Sequence, residues 1–230
     1  MTELPPIAPP RVMHPPAPDP RRPIALVVGV VATVAFVILR FVVAFGDREP
    51  LAIDVWWHDL MVATYSEVGV VIAWIPAIVG GTIGMIVVGA FVVGVFLWRK
   101  RRWDAANLAI ALVVVVAIGA PMAAVIARMR PANSLAESVA TSFPSGHTAV
   151  ATTFAITLAL LVRRWHIWAL GTLWVVVMMW SRTYLYAHWL SDVVAGLLEG
   201  IAVATLVWCA VEAVRDRRAS RELYRGSETQ

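Results

Sequence analysis

An arginine, a histidine and an aspartate occur together at the end of an apolar segment, in residues 181–192. Charged side chains beside such a segment are costly and usually have a function. His188 and Asp192 are four residues apart, so on a helix they share one face and can touch. A carboxylate that holds one ring nitrogen of a histidine leaves the other nitrogen oriented and more basic. The pair therefore predicts a nucleophile or a general base.

Three arginines occur near this pair or in a second polar cluster. Arg128 and Arg130 belong to the sequence Arg-Met-Arg-Pro at residues 128–131, and Arg182 begins the stretch described above. Guanidinium groups match phosphate oxygens with paired hydrogen bonds. If the chain brings them together, the three arginines predict a binding site for a phosphate group.

A third polar cluster, Pro-Ser-Gly-His at residues 144–147, stands just before an apolar run. The first N–H groups of a helix point outward and favour an anion, which places Ser145 and Gly146 at a predicted anion site. His147 adds a second histidine to His188. An anion cradle, an oriented histidine and a second histidine together predict a phosphoryl-transfer site.

Composition indicates an all-α, polytopic membrane protein. Hydrophobic residues make up 60% of the 230-residue chain, and the mean hydropathy is +0.76. The net charge of +4 does not favour nucleic acid, because the basic residues form short clusters between apolar runs. Cys209 is the only cysteine, which excludes an internal disulfide and a cysteine-built metal site.

Six apolar runs predict transmembrane helices. They comprise residues 24–45, 68–98, 105–127, 148–162, 167–180 and 190–214. Pro76 predicts a kink in the second span, and Gly80 and Gly84 predict close helix packing there. The fifth span is expected to continue as far as Tyr186.

The connection between the first two spans predicts a helix that lies in the membrane interface. Its apolar residues fall near helical spacing, and two tryptophans, Trp56 and Trp57, suit an interfacial anchor. Asp54, His58 and Asp59 occupy the other side, where we expect them to face solvent.

Charge distribution predicts the topology. Six spans put both termini on one side, together with residues 99–102 and 163–166, and these segments hold 14 of the 19 basic residues. The positive-inside rule then places the termini in the cytoplasm and all three polar clusters on the outer face. Residues 1–23, with nine of the fourteen prolines, predict a disordered tail, and residues 215–230 predict a basic cytoplasmic tail.

Residue types alone leave three alternatives to a phosphoryl-transfer site. His147, His188 and Asp192 form a candidate metal-ligand set, although three nearby arginines would repel a divalent cation. Ser145 is a candidate hydrolase nucleophile, although the glycine-flanked elbow is absent. In the third alternative, the polar residues have no catalytic role and only form hydrogen bonds with one another at helix ends. This is less expected when three such clusters lie on one membrane face.

These motifs resemble the tripartite signature of the type 2 phosphatidic acid phosphatase superfamily, which includes bacterial lipid phosphatases and vanadium haloperoxidases. The resemblance comprises Arg-Pro at residues 130–131, Pro-Ser-Gly-His at 144–147, and Ser-Arg at 181–182 followed by His188 and Asp192. The second and third motifs match in full, and the likeness covers residues 24–214.

The resemblance implies a role for each residue. His188 would attack phosphorus, Asp192 would orient it, and His147 would protonate the leaving oxygen and then activate water. The remaining motif residues would hold the phosphoryl oxygens: Arg130, Arg182, Ser145, Gly146 and Ser181. No metal or other cofactor is implied.

The first motif departs from the family pattern. The family has a lysine seven residues before the arginine of Arg-Pro, and here that position is Ala123. The only lysine, Lys100, falls on the predicted cytoplasmic side. Our hypothesis is that Arg128 supplies the missing charge to the phosphate.

The sequence thus predicts a lipid phosphate or diphosphate phosphatase of the outer membrane face, with a polyprenyl diphosphate as favoured substrate. Phosphatidylglycerophosphate and phosphatidic acid are alternative substrates. A lipid phosphotransferase and a non-catalytic phospholipid-binding relative are alternative functions. Glu199, an intramembrane carboxylate, is a further functional candidate without an assigned role.

Overall fold

The computed structural model describes residues 19–136 and 141–228. The predicted disorder of the N-terminal tail therefore falls mostly outside the described residues. Within these two ranges, eight helices follow in chain order: α1 (Arg22–Phe45), α2 (Ala52–Ala63), α3 (Glu67–Val79), α4 (Thr82–Trp98), α5 (Arg102–Ile126), α6 (Gly146–Val162), α7 (Trp165–Tyr184) and α8 (Leu190–Glu228). One isolated antiparallel bridge joins Met129 to Thr141. The predicted all-α class is confirmed.

Helix α8 is the centre of the bundle, and α1, α5 and α6 pack against it. Two of its glycines allow α6 to approach closely. A Cβ atom at Gly196 would lie 2.5 Å from the carbonyl oxygen of Ser145, and one at Gly200 would lie 2.5 Å from the Cβ of Thr152. Because only glycine fits there, the start of α6 lies directly against the first turns of α8.

In the part of the chain that the structure describes, three helices are long and apolar enough to cross a membrane: α1, α5 and the Leu190–Leu223 part of α8. Helices α3 and α4 make a fourth candidate if they count as one span bent by 50°. With α7 at 20 residues and α6 at only 17, the full count of six spans stays a prediction. Because several of its helices are long and apolar enough to cross a membrane, the chain is a multi-pass membrane protein.

The second predicted span breaks later than its proline suggested. Pro76 lies inside α3, and the chain bends at Gly80 and Gly81, between α3 and α4. A Cβ atom at Gly80 would clash with the Cε of Met178 on α7. The absence of a side chain at Gly80 therefore makes room for α7 beside the bend.

Two other boundaries differ from the predictions. Helix α7 ends at Tyr184, so the turn that carries His188 is not helical. Helix α8 runs on to Glu228 instead of ending near residue 214. Its charged extension, residues 215–228, holds five arginines and two glutamates, which have high helix propensity, and Arg215 pairs with Glu212 at 3.5 Å.

Helix α2 forms within the segment predicted for the interfacial helix, but it presents the opposite face to the protein. Asp54 is fully buried and Met61 is 5% exposed, whereas Ile53 and Trp56 are 50% and 57% exposed. The expectation that Asp54 faces solvent is wrong, because Asp54 forms an ion pair with a buried arginine, described below. The interfacial position of α2 stays a prediction.

Candidate active site

Backbone hydrogen bonds bring the three polar clusters together. The Ser142 N–H donates to the Arg128 carbonyl at 2.8 Å, which joins the segments before and after residues 137–140. The Ser145 N–H donates to the Asp192 carbonyl at 3.0 Å, which joins the start of α6 to the start of α8. The convergence predicted from spans and charges is therefore present in the fold.

His188 lies in a tight turn between α7 and α8. The N–H groups of Ala187 and His188 both donate to the Arg182 carbonyl, at 3.1 and 3.2 Å, and Tyr186 has a positive φ of 54°. The His188 side chain is 4% exposed. The turn holds the imidazole at the point where the three clusters meet.

A backbone carbonyl fixes the tautomer of His188. Its Nδ1 lies 2.7 Å from the carbonyl oxygen of Ser142, whereas the Oδ2 of Asp192 lies 3.9 Å from the same nitrogen. A carbonyl only accepts, so Nδ1 carries the proton and Nε2 presents its lone pair. Asp192 and His188 are neighbours, as expected, but no hydrogen bond joins them at 3.9 Å, because His188 precedes the helix on which the four-residue spacing was counted.

Two arginines, Arg130 and Arg182, act on the Nε2 side of His188. The Nη1 of Arg130 donates to Nε2 at 3.3 Å and also to the Ala187 carbonyl. Burial, together with the charges of Arg182 and Arg130, holds the pKa of His188 well below its usual 6.5. The hydrogen bond to Ser142 opposes this shift. The direction of this shift favours the neutral form of the His188 imidazole.

The N-terminus of α6 forms the opposite wall of the site. The Ser145 hydroxyl caps the helix by accepting from the Thr148 N–H at 3.5 Å, and Gly146, the first helical residue, is exposed. His147 is partly buried and forms a hydrogen bond with the Ala77 carbonyl of α3. Its charge acts on His188, so the two histidines are near neighbours.

Two predicted phosphate ligands, Ser145 and Ser181, use their hydroxyls within the protein. The Ser145 hydroxyl lies 3.1 Å from that of Thr148, and the Ser181 hydroxyl donates to the Ala73 carbonyl at 2.6 Å. Both serines are fully buried. These contacts cap α6 and join α7 to α3, and phosphate binding by either hydroxyl stays a prediction.

Arg128 does not reach toward the phosphate site in this structure. It is fully buried and packs against the ring of Trp189. An arginine has five N–H groups, and all five of Arg128 have acceptors within 3.2 Å. The acceptors are the carbonyls of Arg48 and Glu49, the hydroxyl of Ser191, and the carboxylates of Asp54 and Asp192. The contacts contradict the hypothesis that Arg128 replaces the missing lysine as a phosphate ligand.

Comparison of the sequence with known proteins assigns the chain to a family. The profile of the PAP2 superfamily matches residues 105–216. The putative undecaprenyl-diphosphatase YbjG of Escherichia coli K12 is 36% identical over 139 residues, which cover 54% of this chain and 68% of YbjG. The chain belongs to the PAP2 superfamily. The predicted resemblance is thereby confirmed.

A second relative agrees with this assignment. An undecaprenyl-diphosphatase of Sulfolobus acidocaldarius is 34% identical over 117 residues, which are 48% of this chain and 56% of that protein. The chain thus spans little more than half the length of this relative.

The structural neighbours share the PAP2 fold. A phosphatidylglycerolphosphate phosphatase of Bacillus subtilis has a TM-score of 0.69 at 19% identity, covering 78% of this chain and 94% of that one. LpxE of Aquifex aeolicus has a TM-score of 0.61 at 24% identity, covering 69% and 96%.

The PAP2 lysine position is Ala123, near the end of α5. Lys100 precedes the start of α5, so about 30 Å of helix separates the two positions. Lys100 therefore cannot supply the missing charge, and the contacts of Arg128 do not supply it either. The cations left beside His188 within the described residues are Arg130 and Arg182.

Sequence reasoning missed two contributors to this PAP2 site. Ser142 acts through its backbone carbonyl, which no residue type signals. Asp54 was assigned to the solvent side of α2, and no sequence signal joined it to Arg128, which lies 74 residues later in the chain. Glu199 is 2% exposed and lies two turns beyond Asp192, facing Gly119 of α5, outside the site.

The metal alternative finds no support in the donor geometry. Within residues 19–136 and 141–228, no group of three or more His, Cys, Asp or Glu side chains is arranged to hold a metal ion. His147, His188 and Asp192 therefore do not form a ligand set there.

Proposed function

We propose that this PAP2 protein is a membrane lipid phosphatase that works through a phosphohistidine at His188. The observation that carries the proposal is the position of Nε2, which bears a lone pair and lies 3.3 Å from Arg130. Geometry of this kind suits an attack on a phosphorus atom whose oxygens are held by cations.

In the first step, the Nε2 lone pair of His188 forms a bond to phosphorus while the bond from phosphorus to the leaving oxygen breaks. Arg130, Arg182 and the first N–H groups of α6 stabilise the charge on the three remaining oxygens. His147 in its protonated form donates a proton to the leaving oxygen. The Ser142 carbonyl accepts the Nδ1–H and stabilises the positive imidazole of the phosphohistidine.

In the second step, neutral His147 removes a proton from water as the water oxygen bonds to phosphorus. The nitrogen–phosphorus bond breaks, its electron pair returns to Nε2, and inorganic phosphate leaves. This step restores His147 to its protonated form, so the pair is ready for another turnover.

The proposed substrate is a polyprenyl diphosphate of the undecaprenyl type. Two relatives above 30% identity carry the name undecaprenyl-diphosphatase, which supports this choice. Phosphatidylglycerophosphate and phosphatidic acid are the competing substrates, since the site holds only a phosphoryl group common to all three.

We place the site on the outer face of the cell membrane, with both termini in the cytoplasm. The support is the charge count, because the segments on the side of the termini hold 14 of the 19 basic residues. The variant Asn133→Cys, three residues after Arg130, should react with a membrane-impermeant thiol reagent on intact cells. Labelling only after lysis would reverse this orientation.

The test of activity is phosphate release by the purified protein in the presence of a chelator. Undecaprenyl diphosphate, phosphatidylglycerophosphate and phosphatidic acid are each supplied in mixed micelles. We expect release from the polyprenyl diphosphate, and none from it with His188→Ala. Absence of release from every lipid, or equal release by His188→Ala, contradicts the proposal.

A further inference from the structure

Helix α2 is fixed to the active site at its N-terminal end by Asp54. The Oδ1 of Asp54 accepts from the Ser191 N–H at 2.7 Å. Its Oδ2 accepts from the Ser191 hydroxyl at 2.7 Å, from Arg128 at 2.7 Å and from the Leu51 N–H at 2.9 Å. A buried carboxylate is stable only with such partners. The contacts hold α2 against the start of α8.

Arg128 links Asp54 to the catalytic motif. Its Nη2 donates to Asp54, and its Nη1 donates to the Oδ1 of Asp192 at 2.6 Å. Both carboxylates and the guanidinium are fully buried. Because Asp54 and Asp192 share one guanidinium, the position of each depends on the other.

Asp192 in turn sets the turn that contains His188. The Oδ2 of Asp192 accepts from the Trp189 N–H at 2.9 Å, which fixes the residue next to His188 and caps the start of α8. The Asp192 carbonyl accepts from the Ser145 N–H, which fixes the start of α6. Asp192 therefore fixes both the turn that carries His188 and the N-terminus of α6.

A second contact between α2 and this turn lies on the same face of the helix. The ring of His58 lies 5.1 Å from that of Tyr186 and 5.4 Å from that of Trp189. Tyr186 and Trp189 flank the Ala187–His188 dipeptide. Helix α2 thus contacts the His188 turn directly through the His58 ring, and it is linked to that turn through the buried ion pair of Asp54 with Arg128.

We propose that Asp54 is a positioning residue of the reaction, acting through Arg128 and Asp192 on the His188 turn. This inference depends on the proposed function, since it concerns the same site. A purely structural role would lower stability alone. A positioning role lowers the rate of the chemical step, because a displacement of about 1 Å at the reacting atoms costs roughly 100-fold in rate.

The first experiment compares Asp54→Asn with Asp59→Asn, a matched control on the same helix whose side chain is exposed. The full chain is assayed in mixed micelles with undecaprenyl diphosphate. We expect Asp54→Asn to lower kcat roughly 10- to 100-fold, with KM changed by less than about threefold. Asp59→Asn should stay within about twofold of wild type. Equal kinetics for the two variants contradict the inference.

A double-mutant cycle separates positioning from loss of stability. If Asp54 acts through Asp192, Asp54→Asn added to Asp192→Asn should lower kcat by less than about twofold further. If the two effects multiply in full, Asp54 does not act through Asp192 and the inference is wrong. Thermal unfolding of each variant accompanies the assay, so that kcat is measured only on folded protein.

Removal of one partner from a buried ion pair is strongly destabilising, so a second variant covers the case in which Asp54→Asn does not fold. Ser191→Ala then replaces it, because it removes one hydrogen bond to Asp54 and one to Arg128 without leaving a charge unpaired. The same fall in kcat at constant KM is expected, and wild-type kcat contradicts the inference. Inactive wild-type protein contradicts the proposed function, whereas active wild type with an unaffected Asp54→Asn contradicts only this inference.

Discussion

The Nδ1 of His188 lies 2.7 Å from the carbonyl oxygen of Ser142. The Ser142 carbonyl therefore orients the proposed nucleophile. Asp192 acts on His188 only indirectly, by accepting hydrogen bonds from the Trp189 N–H and from Arg128. Because Nδ1 donates to this carbonyl, the proton stays on Nδ1 and Nε2 keeps its lone pair unless the segment around Ser142 moves. Substitutions of Asp192 should consequently change the rate without changing which nitrogen is phosphorylated.

The low pKa of His188 predicts an acid limb of kcat/KM below pH 6.5. Below its folded pKa the imidazole gains a proton and loses its nucleophilic lone pair. Arg130→Gln removes one charge that lowers this pKa, so its acid limb should move to higher pH than that of wild type. Profiles from about pH 4 to 8 check the shift, and the substrate phosphate titrates equally in both proteins. An acid limb at unchanged pH contradicts the electrostatic coupling.

The same shift predicts how stability depends on pH. An unfolded His188 binds a proton as the pH falls through 6.5, whereas the folded protein resists that proton until a lower pH. The free energy of unfolding should therefore fall as the pH drops below 6.5. The control is His188→Asn, in which this contribution is absent and the fall should be shallower. Thermal unfolding at several pH values measures both, and identical slopes would rule the contribution out.

Arg128 and Arg130 should differ in their effect on anion binding. Vanadate mimics the phosphoryl transition state, so its inhibition reports on the groups that hold the phosphoryl oxygens. Arg130→Lys should weaken vanadate inhibition by roughly 100-fold, because a bidentate guanidinium is lost. Arg128→Lys should lower kcat but leave vanadate inhibition within about threefold, since Arg128 contacts Asp54 and Asp192 instead. If Arg128→Lys weakens vanadate inhibition and Arg130→Lys does not, Arg128 is the phosphate ligand after all.

Gly196 should be intolerant of alanine, in contrast to Gly94. A Cβ atom at Gly196 meets the Ser145 carbonyl at 2.5 Å, whereas one at Gly94 meets no atom within 4 Å. Alanine is favoured over glycine in a helix by about 1 kcal/mol, so Gly94→Ala should be neutral or stabilising. Gly196→Ala should displace the start of α6 and lower kcat/KM by at least about tenfold. Equal activity of the two variants would contradict the close contact.

Ser181→Ala should affect stability more than catalysis. The hydroxyl donates to the Ala73 carbonyl at 2.6 Å and is fully buried, so its loss should cost about 1 kcal/mol of unfolding free energy. We expect KM within about twofold of wild type. A large rise in KM with unchanged melting temperature would instead support the phosphate-binding role predicted from the sequence.

Much of this site could be predicted from sequence because it depends on residue types. The motif positions with specific chemistry are occupied by Arg130, Arg182, His147 and His188. The hydropathy pattern predicted that the segments carrying them lie at one end of a helical bundle. Hydropathy also predicted a helix between the first two spans, and α2 occupies that segment.

The errors arose where tertiary contacts override a local pattern. The four-residue spacing from His188 to Asp192 predicted a shared helical face, but α8 begins only at Leu190. Amphipathic reasoning assigned Asp54 to solvent, because sequence periodicity cannot show that a buried guanidinium lies opposite. Arg128 was assigned to phosphate for the same reason, since its two carboxylate partners are distant in the chain.

The central claim is that Nε2 of His188 becomes covalently phosphorylated. The most direct measurement is a rapid quench into alkali with ³²P-labelled polyprenyl diphosphate, because a phosphohistidine survives alkali and is lost in acid. We predict acid-labile label on wild type, more of it on His147→Asn, in which hydrolysis of the intermediate is slowed, and none on His188→Asn. Turnover without label on His147→Asn, or label retained on His188→Asn, would contradict the claim.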